Sequence, residues 1–290
     1  MFFPLLNLYF YIPSTLFFGI SVLLFNLLYR KLRLKYKGKI NSYLFRNNSS
    51  DLDCRELAFA TTNYIHAVIS GIWGLYLFYY NFVNSPNGMN KTNVSLESIV
   101  KQPNHFFFSY NDSISNLMSF TLGYLTVDLC CYSFLVVLEQ SNTMNAIFHF
   151  VIVIAFSLYF VNGTGAIPAL FGEISEIASI WIGQEELMEN LVHEYSKKLY
   201  FVIHSILNTL SFLMTRTLMS VYLGYQFFSN ISELVELRNV DSIHASVILI
   251  VYIQCILLVL VIVMNFYFTF DCLRFALNPI KNYLNKEKEM

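Results

Sequence analysis

Three ionisable residues sit in and just beyond one apolar run of this chain. His149 lies within the run 147–161, and Glu173 and Glu176 follow Gly163, Gly165 and Pro168. An imidazole exchanges a proton near neutral pH. Glu173 and Glu176 are three residues apart and so project from one side of a helix. Two carboxylates that close raise each other's proton affinity, which suits one of them to acid/base work; they could equally hold a cation or anchor a histidine. At hydrocarbon depth such groups cost several kcal/mol each unless they face a wet, protein-lined cavity. The stretch 145–182 therefore predicts a polar pocket in an apolar setting, with His149, Glu173 and Glu176 as candidate catalytic residues.

Other polar residues fall in apolar runs. His66 stands in Asn63-Tyr64-Ile65-His66-Ala67. Thr121, Tyr124 and Asp128 recur at i, i+3 and i+7 and share one helical face. His204, Asn208, Ser211 and Thr215 form a stripe at the same spacing, with Arg216 rotated off it. Neutral Ser, Thr and Asn often serve as interhelical glue worth about 1 kcal/mol or less per contact. A buried Asp or Arg needs a partner or water; Arg216 could snorkel or pair with Asp128, Glu173 or Glu176. His66, Tyr124, Asp128, His204, Asn208 and Arg216 are the candidate cavity-lining set. His204 and Asn208 make only half of a metal site, and neither a metal nor another cofactor is expected.

The elements that must position these residues are membrane-spanning helices. Hydrophobic residues make up 56% of the 290 and charged residues 13%, against about 25% charged in soluble domains. Mean hydropathy is +0.52. Bilayer-length apolar runs occur at about 5–29, 59–83, 116–138, 199–225 and 245–270. Residues 147–182 hold either two short spans or one span and a re-entrant segment, so the fold class is an all-α transmembrane bundle of seven spans, or six. The five cysteines read as unpaired, with Cys54 in a basic loop.

Basic residues decide the count. Arg30, Lys31, Arg33, Lys35, Lys37, Lys39, Arg46 and Arg55 cluster in the first loop, whereas 84–115 carries only Lys91 and Lys101. The first loop is thus cytosolic and the N-terminus lumenal. Sequons at Asn90, Asn93 and Asn111 agree with a lumenal second loop and predict a glycoprotein. Seven crossings leave fourteen basic residues inside, three outside and Arg216 in the membrane; six crossings weaken the bias. The domains expected are an N-terminal anchor at 1–29, retained rather than cleaved, a basic cytosolic loop at 30–54, a membrane domain at 55–272 and a cytosolic tail at 273–290. Lys286 and Lys288, fifth and third from the end, resemble a dilysine retrieval signal read by coat proteins, which predicts endoplasmic reticulum residence. The basic cluster at 30–39 abuts a span and reads as an inside-positive flank, not a nucleic-acid site.

In order along the chain, several elements resemble the TLC-domain family, the membrane fold of ceramide synthases and other lipid-handling proteins. Thr62-Asn63-Tyr64-Ile65-His66-Ala67 resembles its early element, and Gly123-Tyr124-Leu125-Thr126-Val127-Asp128-Leu129 its second. Asn145 to Phe150 falls where the family has paired histidines, Gly172 to Ser179 resembles its acidic segment, and Asn208 to Arg216 its late helix. Phe148 stands where a ceramide synthase has the first of its two histidines, and the later His-Asp-x-x-Asp is replaced by Gly172-Glu173-Ile174-Ser175-Glu176. The resemblance thus points outside the synthases, to members with a Glu-x-x-Ser element, here Glu176-Ile177-Ala178-Ser179.

Three functions follow as expectations. The first is a lipid-binding protein of the endoplasmic reticulum membrane acting in lipid homeostasis, its partner a membrane lipid or fatty acyl chain. The second is an acyltransferase using acyl-CoA, with His149 as general base and Glu173 or Glu176 orienting it. The third is a trafficking or cargo receptor.

Overall fold

The computed structural model describes residues 7–36, 51–83, 111–134, 140–191, 199–237 and 245–288, all but a few of them helical. The helices are α1 (Leu8–Tyr36), α2 (Asp51–Phe78, extended by a π-helical turn Tyr79–Val83), α3 (Asp112–Phe134), α4 (Gln140–Asn162), α5 (Ala166–Leu191), α6 (Leu199–Phe212), α7 (Met219–Leu237) and α8 (Ala245–Lys288). A π-helical segment, Leu213–Leu218, joins α6 to α7 without a break, so the described residues make seven helical rods. Leu8–Leu32, Asp112–Cys131, Ala166–Gln184 and Ile248–Arg274 are long and apolar enough to cross a membrane, and Ala146–Val161 is apolar but shorter. The chain is a helical membrane protein.

Helix ends depart from the apolar runs because polar residues continue the helices past the membrane-grade stretch. Helix α2 begins at Asp51, and Cys54 is fully buried in its first turns rather than lying in a loop. Helix α8 runs on to Lys288, so the expected tail is helical through most of its length. Asn90 and Asn93 lie outside the described residues. Asn111 is buried; its Oδ1 accepts the Ile114 N–H at 3.1 Å and caps α3.

Small residues let the helices approach closely where lipid offers no hydrophobic drive. Helix α5 packs most extensively on α2. A Cβ on Gly71 would stand 3.2 Å from the Ile177 backbone nitrogen, and one on Gly74 3.3 Å from that of Ile174. Helix α1 packs on α3, where a Cβ on Gly123 would meet the Tyr11 carbonyl oxygen and the Ser14 side chain at 2.8 Å. Ser14 in turn donates to the Phe120 carbonyl at 2.6 Å.

Gly163 and Gly165 take positive φ values of 70° and 89°, so the turn between α4 and α5 reverses within three residues. The two helices then diverge. Helix α4 packs on α3 and α8, while α5 packs on α2 and α6. The resulting gap is bridged at the turn, where Thr164 Oγ1 donates to Gln254 Oε1 (2.8 Å) and Gln254 Nε2 donates back to the Thr164 carbonyl (3.1 Å).

Candidate functional site

The shared face of α3 turns into the bundle and carries a polar network. Asp128 is 1% exposed, and its Oδ2 lies 2.5 Å from His149 Nδ1 on α4. A carboxylate only accepts, so Nδ1 carries the hydrogen, and the Nε2 lone pair of a neutral ring is left as acceptor or base. The His149 side chain keeps 20% of its surface open. The Tyr124 hydroxyl lies 3.0 Å from both Asp128 Oδ1 and Asn63 Oδ1. Its single proton is best used by the charged acceptor.

A second branch leads from the same face to α5. Thr121 Oγ1 donates to Glu173 Oε2 at 2.8 Å and stands 3.4 Å from His66 Nε2. The His66 ring is stacked on Tyr124, centroids 3.8 Å apart and planes 9° from parallel. Phe18 of α1 meets His66 and Tyr124 edge-on at 5.7 and 5.2 Å. The network therefore runs Glu173–Thr121–His66, across a ring stack, to Tyr124–Asp128–His149. Both His66 Nδ1 and Glu173 Oε1 are buried without a partner among the described residues.

Glu173 and Glu176 part company. Glu173 points to Thr121, whereas half-buried Glu176 stands within electrostatic reach of His149 and Arg216. Arg216, which α-helical spacing places off the polar stripe, lies in the π-helical segment. Bonding five residues apart widens the turn, so each residue rotates less and Arg216 swings inward onto the stripe. Arg216 is buried; its Nη2 donates to Ser179 Oγ at 2.8 Å, and its guanidinium lies 5.6 Å from the Phe148 ring and 5.0 Å from the Phe212 ring. Phe148 thus becomes a platform for a cation.

His204 is placed elsewhere. It lies twelve residues before Arg216, about 18 Å along a helix axis, with its ring edge-on to Trp181 at 5.4 Å. Neither of its ring nitrogens has a partner among the described residues. Asn208, two turns short of Arg216, is buried on the same helix.

The gap between α4 and α5 forms an apolar crevice, closed on its other sides by α7 and α8. It encloses about 850 Å³ of unfilled space, its open mouth included. Its lining runs from the Thr164–Gln254 clasp to Ile152, Ser175 and Thr215. Those last three sit one turn or less from His149, Glu176 with Ser179, and Arg216. One end of the crevice therefore abuts the polar cluster. Gly172 lines it, and a Cβ added there meets nothing within 4 Å.

Ser179, Asn63 and Phe18 did not stand out as site residues in the sequence. Ser179 had a signal in the Glu-x-x-Ser pattern; Phe18 had none, since one phenylalanine among many on an apolar helix carries no spacing. Residues 60–274 match the family model TRAM_LAG1_CLN8: TLC domain. No curated protein matches the chain significantly.

Proposed function

Because the chain belongs to the TLC-domain family, we propose that it binds a lipid inside the bilayer and acts in lipid homeostasis in the endoplasmic reticulum membrane, as a member of a branch other than the ceramide synthases. The observation that carries this is the apolar crevice, whose lining residues Ile152, Ser175 and Thr215 lie a turn or less along their helices from His149, Glu176 and Arg216. An acyl chain lies along Phe156, Leu223, Val251 and Leu258, and its polar end meets the only kind of surface that can solvate it at that depth. Native mass spectrometry of the purified protein tests the proposal. Wild type carries about one lipid per chain, and Gly172→Leu, whose side chain enters the open space, carries little while keeping its helicity. A wild-type protein that retains no lipid overturns it.

The His149–Asp128 contact favours a second reading, acyl transfer. Asp128 fixes the ring so that Nε2 can take a proton from a lipid hydroxyl or amine as it attacks the carbonyl of an acyl-CoA thioester; the C–S bond breaks, and the proton passes from the ring to the departing CoA thiolate. General-base catalysis contributes about 10²–10⁴-fold. His149→Ala should therefore remove acyl transfer by the purified protein without loss of folded material, and unchanged turnover would sink this reading.

A further inference from the structure

Among the described residues, Arg216 is a cation without a counter-ion in contact. It is 6% exposed, its hydrogen-bond partner is the neutral Ser179 hydroxyl, and its Nε has no partner among the described residues. Guanidinium stays charged in a protein. The nearby acids do not neutralise it by contact. Asp128 is committed to His149 and Tyr124, Glu173 to Thr121, and Glu176 acts from beyond ion-pair distance. A buried charge left in that state costs several kcal/mol. The two aromatic faces of Phe148 and Phe212 offset part of this and hold the guanidinium from the sides.

The position of this cation matters as much as its isolation. Thr215, its chain neighbour, lines the crevice, as does Ser175, one turn from the Ser179 that Arg216 touches. The π-helical segment that turns Arg216 inward is itself a local departure from the lower-energy α-helix, of a kind frequent at functional sites. We propose that Arg216 is the recognition point for a lipid oxyanion, a phosphate or a carboxylate, whose acyl chain fills the crevice. Guanidinium presents a fork of donors that matches either group in two-point contact. The proposal rests on the lipid-binding reading and adds the charge class of the ligand.

The test presents matched pairs of lipids to the full-length protein in mixed micelles and reads occupancy by native mass spectrometry. Phosphatidic acid is paired with diacylglycerol, and oleate with methyl oleate, so each pair differs in the anion and little else. Wild type should favour the anionic member of at least one pair by about tenfold to hundredfold; the pair that shows the preference identifies phosphate or carboxylate as the source. Arg216→Gln should abolish the preference while neutral lipid still binds, and Arg216→Lys should keep part of it. Equal occupancy within both pairs by wild type overturns the proposal whether or not the Arg216 variants fold. So does a preference that survives Arg216→Gln. Binding of none of the four lipids overturns the crevice reading itself, which separates that failure from this one.

Discussion

At the residue scale, Tyr124 does two jobs that substitution can separate. Its ring lies flat on His66, and its hydroxyl reaches Asp128 and Asn63. Tyr124→Phe keeps the stack and removes the hydrogen bond to a charged acceptor, so stability should fall by about 1.5–3 kcal/mol. Tyr124→Leu also removes the stack with His66 and should cost more. Thermal unfolding of the detergent-purified protein checks the order; equal melting temperatures for wild type and Tyr124→Phe would mean that the hydroxyl bonds contribute nothing. Asn111 offers a parallel case. Its amide caps α3, so Asn111→Ala should cost about 1 kcal/mol, and a glycan on that buried amide would have to displace the cap. Spacing alone exposed part of this layer. Thr121, Tyr124 and Asp128 could be placed on one face because helical period fixes direction. Their partners could not, because Asn63, His149 and Glu173 reach them across gaps of 21 to 61 residues in sequence, and no local pattern encodes which helix comes alongside.

At the scale of elements, two devices set the site: close helix contacts and one π-helical segment. Gly123 has no room for a side chain, since a Cβ would approach the Tyr11 carbonyl to 2.8 Å. Gly123→Ala must therefore push α1 off α3, at about 1–3 kcal/mol. It should also loosen Phe18 against the His66–Tyr124 stack, which a faster proteolytic clip in α1 would report. Helix α1 lies outside the matched residues 60–274 yet closes one side of the network, so a family comparison would not reveal its part. The π-helical segment makes a different prediction. Deleting Met214, a side chain 60% exposed, returns the turn toward α-helical pitch and rotates Arg216 away from Ser179. Helical content should be retained, while any lipid selectivity that depends on Arg216 is lost. Selectivity that persists in the deletion would show that the wound-out turn does not set the position of the guanidinium. Apolar periodicity could find the helix from 199 to 237 but not this segment, because one widened turn leaves hydrophobicity unchanged and shifts only phase.

For the molecule as a whole, the order of the rods bears on how the chain crosses the membrane. Four helices meet the length and hydropathy needed to cross, α4 is apolar but shorter, and the remaining two rods carry the polar residues that lower their hydropathy. Those polar residues are the network and the stripe: Thr62, Asn63 and His66 on α2, and His204, Asn208 and Arg216 on the rod containing α6. A hydropathy threshold penalises the helices that build an interior site, so charge distribution is the better guide to the number of crossings. The turn at Gly163–Gly165, which sends α5 back after α4, fits two crossings rather than one there. An odd count would put the termini on opposite faces, and the charge-based orientation would then have the basic stretch 30–39 and the Lys286–Lys288 end together in the cytosol. Epitope tags at the two termini, probed in cells whose plasma membrane alone has been permeabilised, should show the C-terminal tag digested by added protease and the N-terminal tag protected. Both tags digested, or both protected, would reject seven crossings. If the C-terminal end is cytosolic, replacing Lys286 and Lys288 by serine should move the protein from the endoplasmic reticulum toward the Golgi. A protein that stays in place would remove the dilysine signal as the cause of residence but leave the proposal for the apolar crevice unaffected.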